Sequence, residues 1–327
     1  MRRIRDMIRG RAGELLRDGT VNRVLGWTNG EFYYDPNPAI FETEKSLDSL
    51  VYNGFSAAML SKYLIEATKK EGRVLVFLKP CDTYSFNHLL KEHKVNREKT
   101  YVIGIGCGGM LDIEKLRTLG AKGIESIDEE GENVVAHTLY GDKTFARRDA
   151  LLEKCLSCKG KEHKVYDELA VADDLWEWET VNRFTKVGEL EGMGPGERFS
   201  FWRGELSRCI RCNACRNACP VCSCLKCVFD NPRSGVQAKA NADSFEENMF
   251  HIIRAFHVAG RCSDCGECSR VCPQNIPLHL LNRKFIKDIN AFYGEYQAGA
   301  VAEGKSPLTE YATGDVEPSI VYERGGA

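Results

Sequence analysis

Two short cysteine runs constrain this chain more than anything else in it. The first reads Cys209-Ile210-Arg211-Cys212-Asn213-Ala214-Cys215-Arg216-Asn217-Ala218-Cys219-Pro220, the second Cys262-Ser263-Asp264-Cys265-Gly266-Glu267-Cys268-Ser269-Arg270-Val271-Cys272-Pro273. Each is a C-x2-C-x2-C-x3-C-P run, the spacing by which bacterial ferredoxins hold [4Fe–4S] clusters. Three thiolates on one tight loop reach three irons of one cube, and the fourth, ahead of proline, ligates the other cube. The spacing therefore assigns Cys209, Cys212, Cys215 and Cys272 to one cluster, and Cys262, Cys265, Cys268 and Cys219 to the other. A disulfide framework or paired zinc ribbons are the rivals, but zinc sites are built from C-x2-C pairs rather than quartets closed by C-P.

With 327 residues the chain has room for about two or three domains. A net charge of −2 gives no electrostatic case for binding nucleic acid or an anionic membrane surface. Fifteen cysteines would suit a secreted disulfide scaffold only in a much shorter chain. Most stand in cluster spacing, so a reducing, anaerobic cytoplasm is the expected setting. The start, Met1-Arg2-Arg3-Ile4-Arg5-Asp6, is basic, but no apolar segment follows it, so no signal peptide is expected. No run approaches the ~18 apolar residues of a membrane span, and no membrane insertion is expected.

Along the chain, Ile4, Met7, Ile8, Leu15 and Leu16 predict a helix over residues 1–18. Val21–Thr28 reads as a strand, with a hairpin turn at Asn29-Gly30 leading into a second strand at Phe32–Tyr34. Ser56–Ala67 reads as a helix. The apolar run Arg73–Leu78 suits a buried parallel strand, followed by Lys79-Pro80-Cys81-Asp82 and a helix through Leu90. Tyr101–Ile105, a Gly-rich turn and a helix around Leu111–Leu119 repeat the unit, with further strands at Ile124–Ile127 and Asn133–Thr138. Strand, turn, helix, strand argues for an α/β domain over roughly 1–150. Residues 160–185 read as a linker or cap whose Asp173-Asp174-Leu175-Trp176-Glu177-Trp178 covers the cluster domain or meets a partner or flavin. Pro195–Arg208 reads as a helix with Phe199, Phe201, Trp202 and Leu206 core-like. Asp230–Asn248 is polar and aperiodic. Met249–His257 and Pro277–Phe292 are helices, with His251 and His257 packed rather than ligating.

Four cysteines of the first half stand apart from the ferredoxin runs. Cys81 and Cys107 each follow a predicted strand, and strand C-termini line one edge of an open α/β sheet, where sites form. Cys155 and Cys158 make a C-x2-C pair flanked by Lys154, Lys159 and Lys161. Spacing leaves three readings open: a third cluster, a four-thiolate zinc site, or unrelated buried cysteines. Gly104, Gly106 and Gly109 satisfy G-x-G-x-x-G, with Glu125 at a plausible distance for a ribose contact, but a lone match is weak. A tight turn, or backbone passing close to something held by Cys107, reads better. Cys222, Cys224 and Cys227 follow the first run in no standard spacing. They read as thiols shielding the cubes, as ligands of a further metal, or as a substitute for one conventional ligand.

In several ordered segments the chain resembles the coenzyme-reducing hydrogenase and dehydrogenase β-subunit family, in particular the β subunits of formate dehydrogenases that reduce the deazaflavin coenzyme of methanogens. The matching segments are Asp18–Val21, Lys79–Asp82, Gly106–Gly109, Cys155–Cys158, Ser207–Cys212, Ala214–Cys227, Met249–His251 and the second run through Leu278. The resemblance implies a proximal cluster held by Cys81, Cys107, Cys155 and Cys158, beside the two ferredoxin-type clusters. The chain departs from the family where Arg11-Ala12-Gly13-Glu14 replaces a Cys-Gly-Gly segment, and where Val171-Ala172-Asp173-Asp174 runs quickly into the helix before Cys209. Those family segments help build the flavin and deazaflavin site, so a shortened relative is implied.

The expected fold class is α+β. An α/β domain with the proximal cluster spans 1–185, a helical ferredoxin-like 2[4Fe–4S] domain spans 186–295, and an extended C-terminal tail spans 296–327, either disordered or wrapping a partner subunit. The expected function is an iron–sulfur electron-transfer subunit of a soluble multi-subunit oxidoreductase, with three [4Fe–4S] clusters and FAD as an open fourth cofactor. Its expected partners are a catalytic or flavin subunit, with ferredoxin a further candidate. The rival readings are a FAD-containing subunit that itself reduces a nicotinamide or deazaflavin, and a structural zinc protein.

Overall fold

The computed structural model describes residues 1–172, 175–231 and 244–309. Helix α1 (Arg2–Arg17) buries Ile4, Ile8, Ala12 and Leu15, a stripe recurring every three or four residues, against the body of the α/β part. The chain then enters β1 (Arg23–Thr28), β2 (Asn37–Phe41) and β3 (Leu50–Val51). After α2 (Ser61–Ala67) come β4 (Val74–Leu78), α3 (Pro80–Lys91), β5 (Thr100–Ile105) and α4 (Ile113–Thr118). β1, β4 and β5 run parallel, with β2 and β3 antiparallel against β1. Every residue of β4 is buried, as a parallel strand covered on both faces requires.

Three expectations shift here. The partner of β1 is Asn37–Phe41, paired Thr28 to Asn37, rather than Phe32–Tyr34. Pro36 and Pro38 disguise it, and Pro38 is tolerated because β2 is an edge strand. Only the second half of Ser56–Ala67 is helical. The strands β6 (Ile124–Glu130), β7 (Asn133–Thr138) and β8 (Lys143–Ala146) leave the main sheet and form their own antiparallel one.

The short helix α5 (Glu153–Leu156) carries the C-x2-C pair. What reads as a linker then contributes β9 (Glu168–Ala170), which pairs parallel with β5 and closes the main sheet. Helices α6 (Thr185–Gly192) and α7 (Pro195–Leu206) lead to the first cysteine run. Of the four α7 residues that read as core-like, Leu206 is buried, Phe201 and Trp202 are half-buried, and Phe199 is exposed. Each run ends in one helical turn, α8 (Ala214–Asn217) and α10 (Glu267–Arg270). Between them lies α9 (Ser244–His257), and α11 (Leu278–Tyr293) closes the helical part. Among the described residues no helix is long and apolar enough to cross a membrane.

Beyond α11, residues 296–309 lie on the chain's own surface. Tyr296 and Ser306 donate to the Gly260 carbonyl, and Asn87 of α3 donates to the Gly299 carbonyl at 3.1 Å. Gly299 has φ +77°, and a Cβ there would sit 1.8 Å from the Tyr84 carbonyl oxygen. Gly299→Ala is therefore expected to cost more than about 1 kcal/mol. The loss should appear as faster amide exchange over 296–309, with the cysteine runs unchanged. Residues 310–327 of the tail lie outside the described residues, as do Asp173, Asp174 and most of Asp230–Asn248.

Candidate metal centres

The sheet register explains how Cys81 and Cys107 meet. Leu78 of β4 pairs with Gly104 of β5, and each cysteine stands three residues beyond its strand's paired residue. The two thiols therefore leave neighbouring parallel strands at the same height. Pro80 opens α3, so the chain turns sharply at that point. The C-x2-C pair arrives from the other side: Leu152 donates to the Met110 carbonyl at 2.8 Å, and the Met110 N–H points back to the Cys155 sulfur at 3.3 Å. Cys158 lies near Cys81, Cys107 and Cys155, and Cys107 lies near Cys81 and Cys155. Trp178 seals the group, donating from its indole to the Cys155 carbonyl at 2.9 Å, with Trp176 stacked on it. These tryptophans cover this set rather than the ferredoxin runs.

The glycines of the Gly-rich turn allow close packing. A Cβ at Gly104 would meet Leu169 and His163, one at Gly106 would meet Leu175 and Ile4, and one at Gly109 would meet Leu151. At these three positions the chain's own side chains stand where a Cβ would go. The turn also lets the Gly109 N–H reach the Cys107 sulfur.

The two ferredoxin loops share one backbone path. Arg211 and Asp264, each two residues into its run, have φ of +54° and +55°. Asn213 and Gly266, each four residues in, have φ of +62° and +68°. Left-handed residues at matched positions curl the backbone so that successive N–H groups face inward, a concavity suited to anions. Arg211 N–H thus reaches Cys209 Sγ, and Asp264 N–H reaches Cys262 Sγ, both at 3.4 Å. The Glu267 and Ser269 N–H groups reach Cys265 and Cys268. Gly is needed at 266 because a Cβ there would lie 2.5 Å from that of Lys154, whereas the matched position of the first run holds Asn213.

Cys215 lies close to Cys209 and Cys272 as well as to Cys268 of the other loop, and Cys219 lies beside Cys262, Cys265 and Cys268. Each fourth cysteine thus sits with the opposite run. Of the extra three, Cys222 packs beside Cys219, Cys227 is half-buried near Cys222, and Cys224 is exposed.

Whether this donor set fits iron–sulfur clusters can be judged from its charges. Burial pushes the thiols up, Cys155 and Cys215 each to about 12. Unmetallated, these thiols stay protonated, and only a metal makes thiolates of them. Yet cations are built into the same places. Lys79 is 1 % exposed, and its ammonium donates to the Ser56 and Ala58 carbonyls beside Cys81. Arg254 is 4 % exposed and faces Cys268, Cys215, Cys219 and Cys222. Two of its nitrogens, Nε and Nη1, have no hydrogen-bond partner among the described residues. Buried cations require anions nearby, so the sites are built for thiolates and the net negative charge of clusters. Among the described residues no three His, Cys, Asp or Glu side chains close around a single ion. Four sulfurs held on four separate irons need not converge on one point.

The second run is locked onto the C-x2-C pair. Lys154, next to Cys155, is ion-paired with Glu267, next to Cys268, and both are buried. Arg283 of α11 donates to Ser157 Oγ at 2.9 Å and to Asp264 Oδ1 at 2.8 Å, bridging the interiors of the two motifs. Ser85 and Ser263 hydroxyls meet at 2.7 Å. None of these partners stands out in the sequence except Lys154, which flanks the pair. A readable signal did exist for Arg254: it lies three residues from His251 and four from Val258, on the buried stripe of α9, where a polar residue needs a buried partner.

Known proteins agree with this chemistry. A family model described as "4Fe-4S dicluster domain" matches residues 205–276. The F420-dependent formate dehydrogenase subunit beta of Methanocaldococcus jannaschii is 25% identical over 84% of this chain and 86% of its own length. This chain is a relative of those beta subunits. F420-dependent formate dehydrogenase 1 subunit beta of Methanococcus maripaludis is 23% identical over 66% of this chain and 71% of that protein. A succinate dehydrogenase iron-sulfur subunit of Bacillus subtilis is 34% identical over 34% of this chain and 47% of that one. A chain in a solved structure of the F420-reducing [NiFe] hydrogenase complex from Methanosarcina barkeri matches at a TM-score of 0.38 and 14% identity, over 46% of this chain and 58% of that chain, a likeness too slight to bear on the fold. The dicluster match and the two beta subunits support an iron–sulfur electron-transfer protein.

Proposed function

We propose that this chain is the electron-relay subunit of a soluble, cytoplasmic multi-subunit oxidoreductase, carrying three [4Fe–4S] clusters. Cys209, Cys212, Cys215 and Cys272 hold one, and Cys262, Cys265, Cys268 and Cys219 the second. Cys81, Cys107, Cys155 and Cys158 hold the third. Bound there, such clusters accept and release single electrons at potentials set by charge, hydrogen bonds to sulfur and exposure. The observation that carries the reading is the matched left-handed backbone of the two runs, with N–H groups turned onto Cys209 and Cys262.

The chain's own residues set the order. Lys154, Glu267 and Arg283 hold the C-x2-C pair against the second run, and the Ser85–Ser263 contact holds α3 against it, so the second-run site is central. The first-run site is the outlet, since Cys212 is exposed and Ile210 beside it is 61 % exposed. The partners are a catalytic or flavin subunit, in a formate dehydrogenase, hydrogenase, heterodisulfide-reductase-like or electron-bifurcating assembly, with ferredoxin a further candidate.

A second reading, a FAD-containing subunit that itself reduces a coenzyme, is favoured by one feature. A cleft of about 1070 Å³ opens beside the Gly-rich turn, lined by Tyr33, Tyr52, Gly108, Arg147 and Trp176 among others. Metal and flavin analysis of anaerobically purified protein separates the readings. About twelve irons per chain without flavin supports the relay. Twelve irons with one flavin supports the second reading. A colourless, zinc-loaded protein sinks both.

A further inference from the structure

We infer that Arg254 is a shared internal cation that raises the reduction potentials of both ferredoxin-type clusters together. The inference rests on the cluster assignment proposed above. Arg254 projects from the buried stripe of α9, between the two cysteine runs. The thiols it faces come from both: Cys215 from the first loop, Cys268 from the second, and Cys219, which crosses from the first run to the second-run site. Cys268 is the nearest in effect of these sulfurs. The Arg254 side chain is buried, and its Nε and Nη1 have no hydrogen-bond partner among the described residues.

A guanidinium cannot shed its proton, so the charge is permanent. Reduction adds a negative charge to a cluster. A fixed cation close by in a low-dielectric interior favours the reduced form, and more strongly than it would in water. Because Arg254 faces ligands of both sites, its field acts on both. His251, one turn earlier on α9, differs: its Nε2 lies 3.2 Å from Cys209 Sγ, a ligand of the first-run site. The two side chains should therefore leave different signatures.

The test is an EPR-monitored redox titration of the anaerobic holoprotein and its Arg254→Gln, Arg254→Lys and His251→Leu variants, with iron content measured on each. In Arg254→Gln both ferredoxin-type potentials should fall by at least a tenfold change in the reduction equilibrium, about 59 mV for one electron. The third cluster should stay within threefold. Arg254→Lys, which keeps the charge, should stay close to the parent, and His251→Leu should move one potential alone. A fully loaded Arg254→Gln protein with either ferredoxin-type potential unmoved overturns the inference. If Arg254→Gln loses iron, the lysine variant decides: full iron at parental potentials upholds the charge role, and loss in both variants overturns it in favour of packing. A parent protein without two such clusters overturns the proposed function itself, and this inference falls with it.

Discussion

Replacing Cys155 by alanine is expected to lower the iron content from about twelve to about eight per chain, with the signals of the two ferredoxin-type clusters intact. Cys155 is the most enclosed of the four cysteines proposed for the third cluster. It is 8 % exposed, roofed by Trp178, and its sulfur receives the Met110 N–H from the Gly-rich turn. Alanine keeps the helix α5 and removes only the donor atom. Cys81 and Cys107 would then face a site with three ligands and the buried Lys79 and Lys154 charges still in place. The loss should be whole-cluster rather than graded. Iron and zinc content of parent and variant, with EPR of the reduced proteins, checks it. A parent with about eight irons and one zinc, falling to eight irons and none in the variant, would identify the site as zinc. An unchanged twelve would mean that Cys155 is not a ligand.

How much of this was readable depends on how local each signal is. The two quartets are legible because a cube takes three of its ligands from one loop, so the chemistry is written in adjacent residues. Cys81 and Cys107 are legible at one remove, since both follow apolar strands and parallel strands end on one edge. The equal offset from the paired Leu78 and Gly104 needs the register, which a sequence does not print. β2 was hidden by two prolines, and β9 by its brevity and by pairing with a strand more than sixty residues earlier. Phe199 looked like core because α7 is apolar on several sides; the helix buries Leu206 and leaves that ring outside. The charged residues that condition the sites, Lys79, Arg254 and Arg283, gain their meaning only from burial, which is a property of the whole fold.

Those charges follow one pattern. Each cysteine site has a buried cation within reach: Lys79 and Lys154 at the α/β site, Arg254 at the ferredoxin pair. Lys154 already has its anion in Glu267, but two Arg254 nitrogens have no partner among the described residues, and in a protein meant to stay metal-free that buried charge would be poorly compensated and destabilising. Thus the polypeptide and its metal complement are expected to form one folding unit, as in other small metal-bearing domains.

The largest purely structural effect is expected at Glu267. Its carboxylate is 2 % exposed and lies between Lys154, on the C-x2-C side, and Arg270, whose Nη2 is 2.8 Å away on its own loop. Glu267→Gln keeps the shape and removes the charge, leaving Lys154 buried without its anion. Breaking such a pair from one side costs about 3–5 kcal/mol. The cost should fall on the contact between the two cysteine-bearing parts, because that is where the charge is stranded. In amide exchange of the holoprotein, residues 152–158 and 264–270 should open at least a hundredfold more often, at roughly 1.4 kcal/mol per factor of ten. Lys154→Met added to Glu267→Gln should restore much of the protection, since the stranded charge is then gone. The pH dependence has a defined sign. Burial pushes Glu267 up from its ordinary 4.5, but Arg270 and Lys154 outweigh burial and hold it at about 2. The carboxylate's contribution is therefore complete above pH 4.5 and fades only as the pH falls toward 2. The gap between parent and Glu267→Gln should accordingly be nearly as wide at pH 5 as at pH 7. A gap that closes between those two values, or a loss of protection below tenfold, would show that this ion pair does not hold the two parts together.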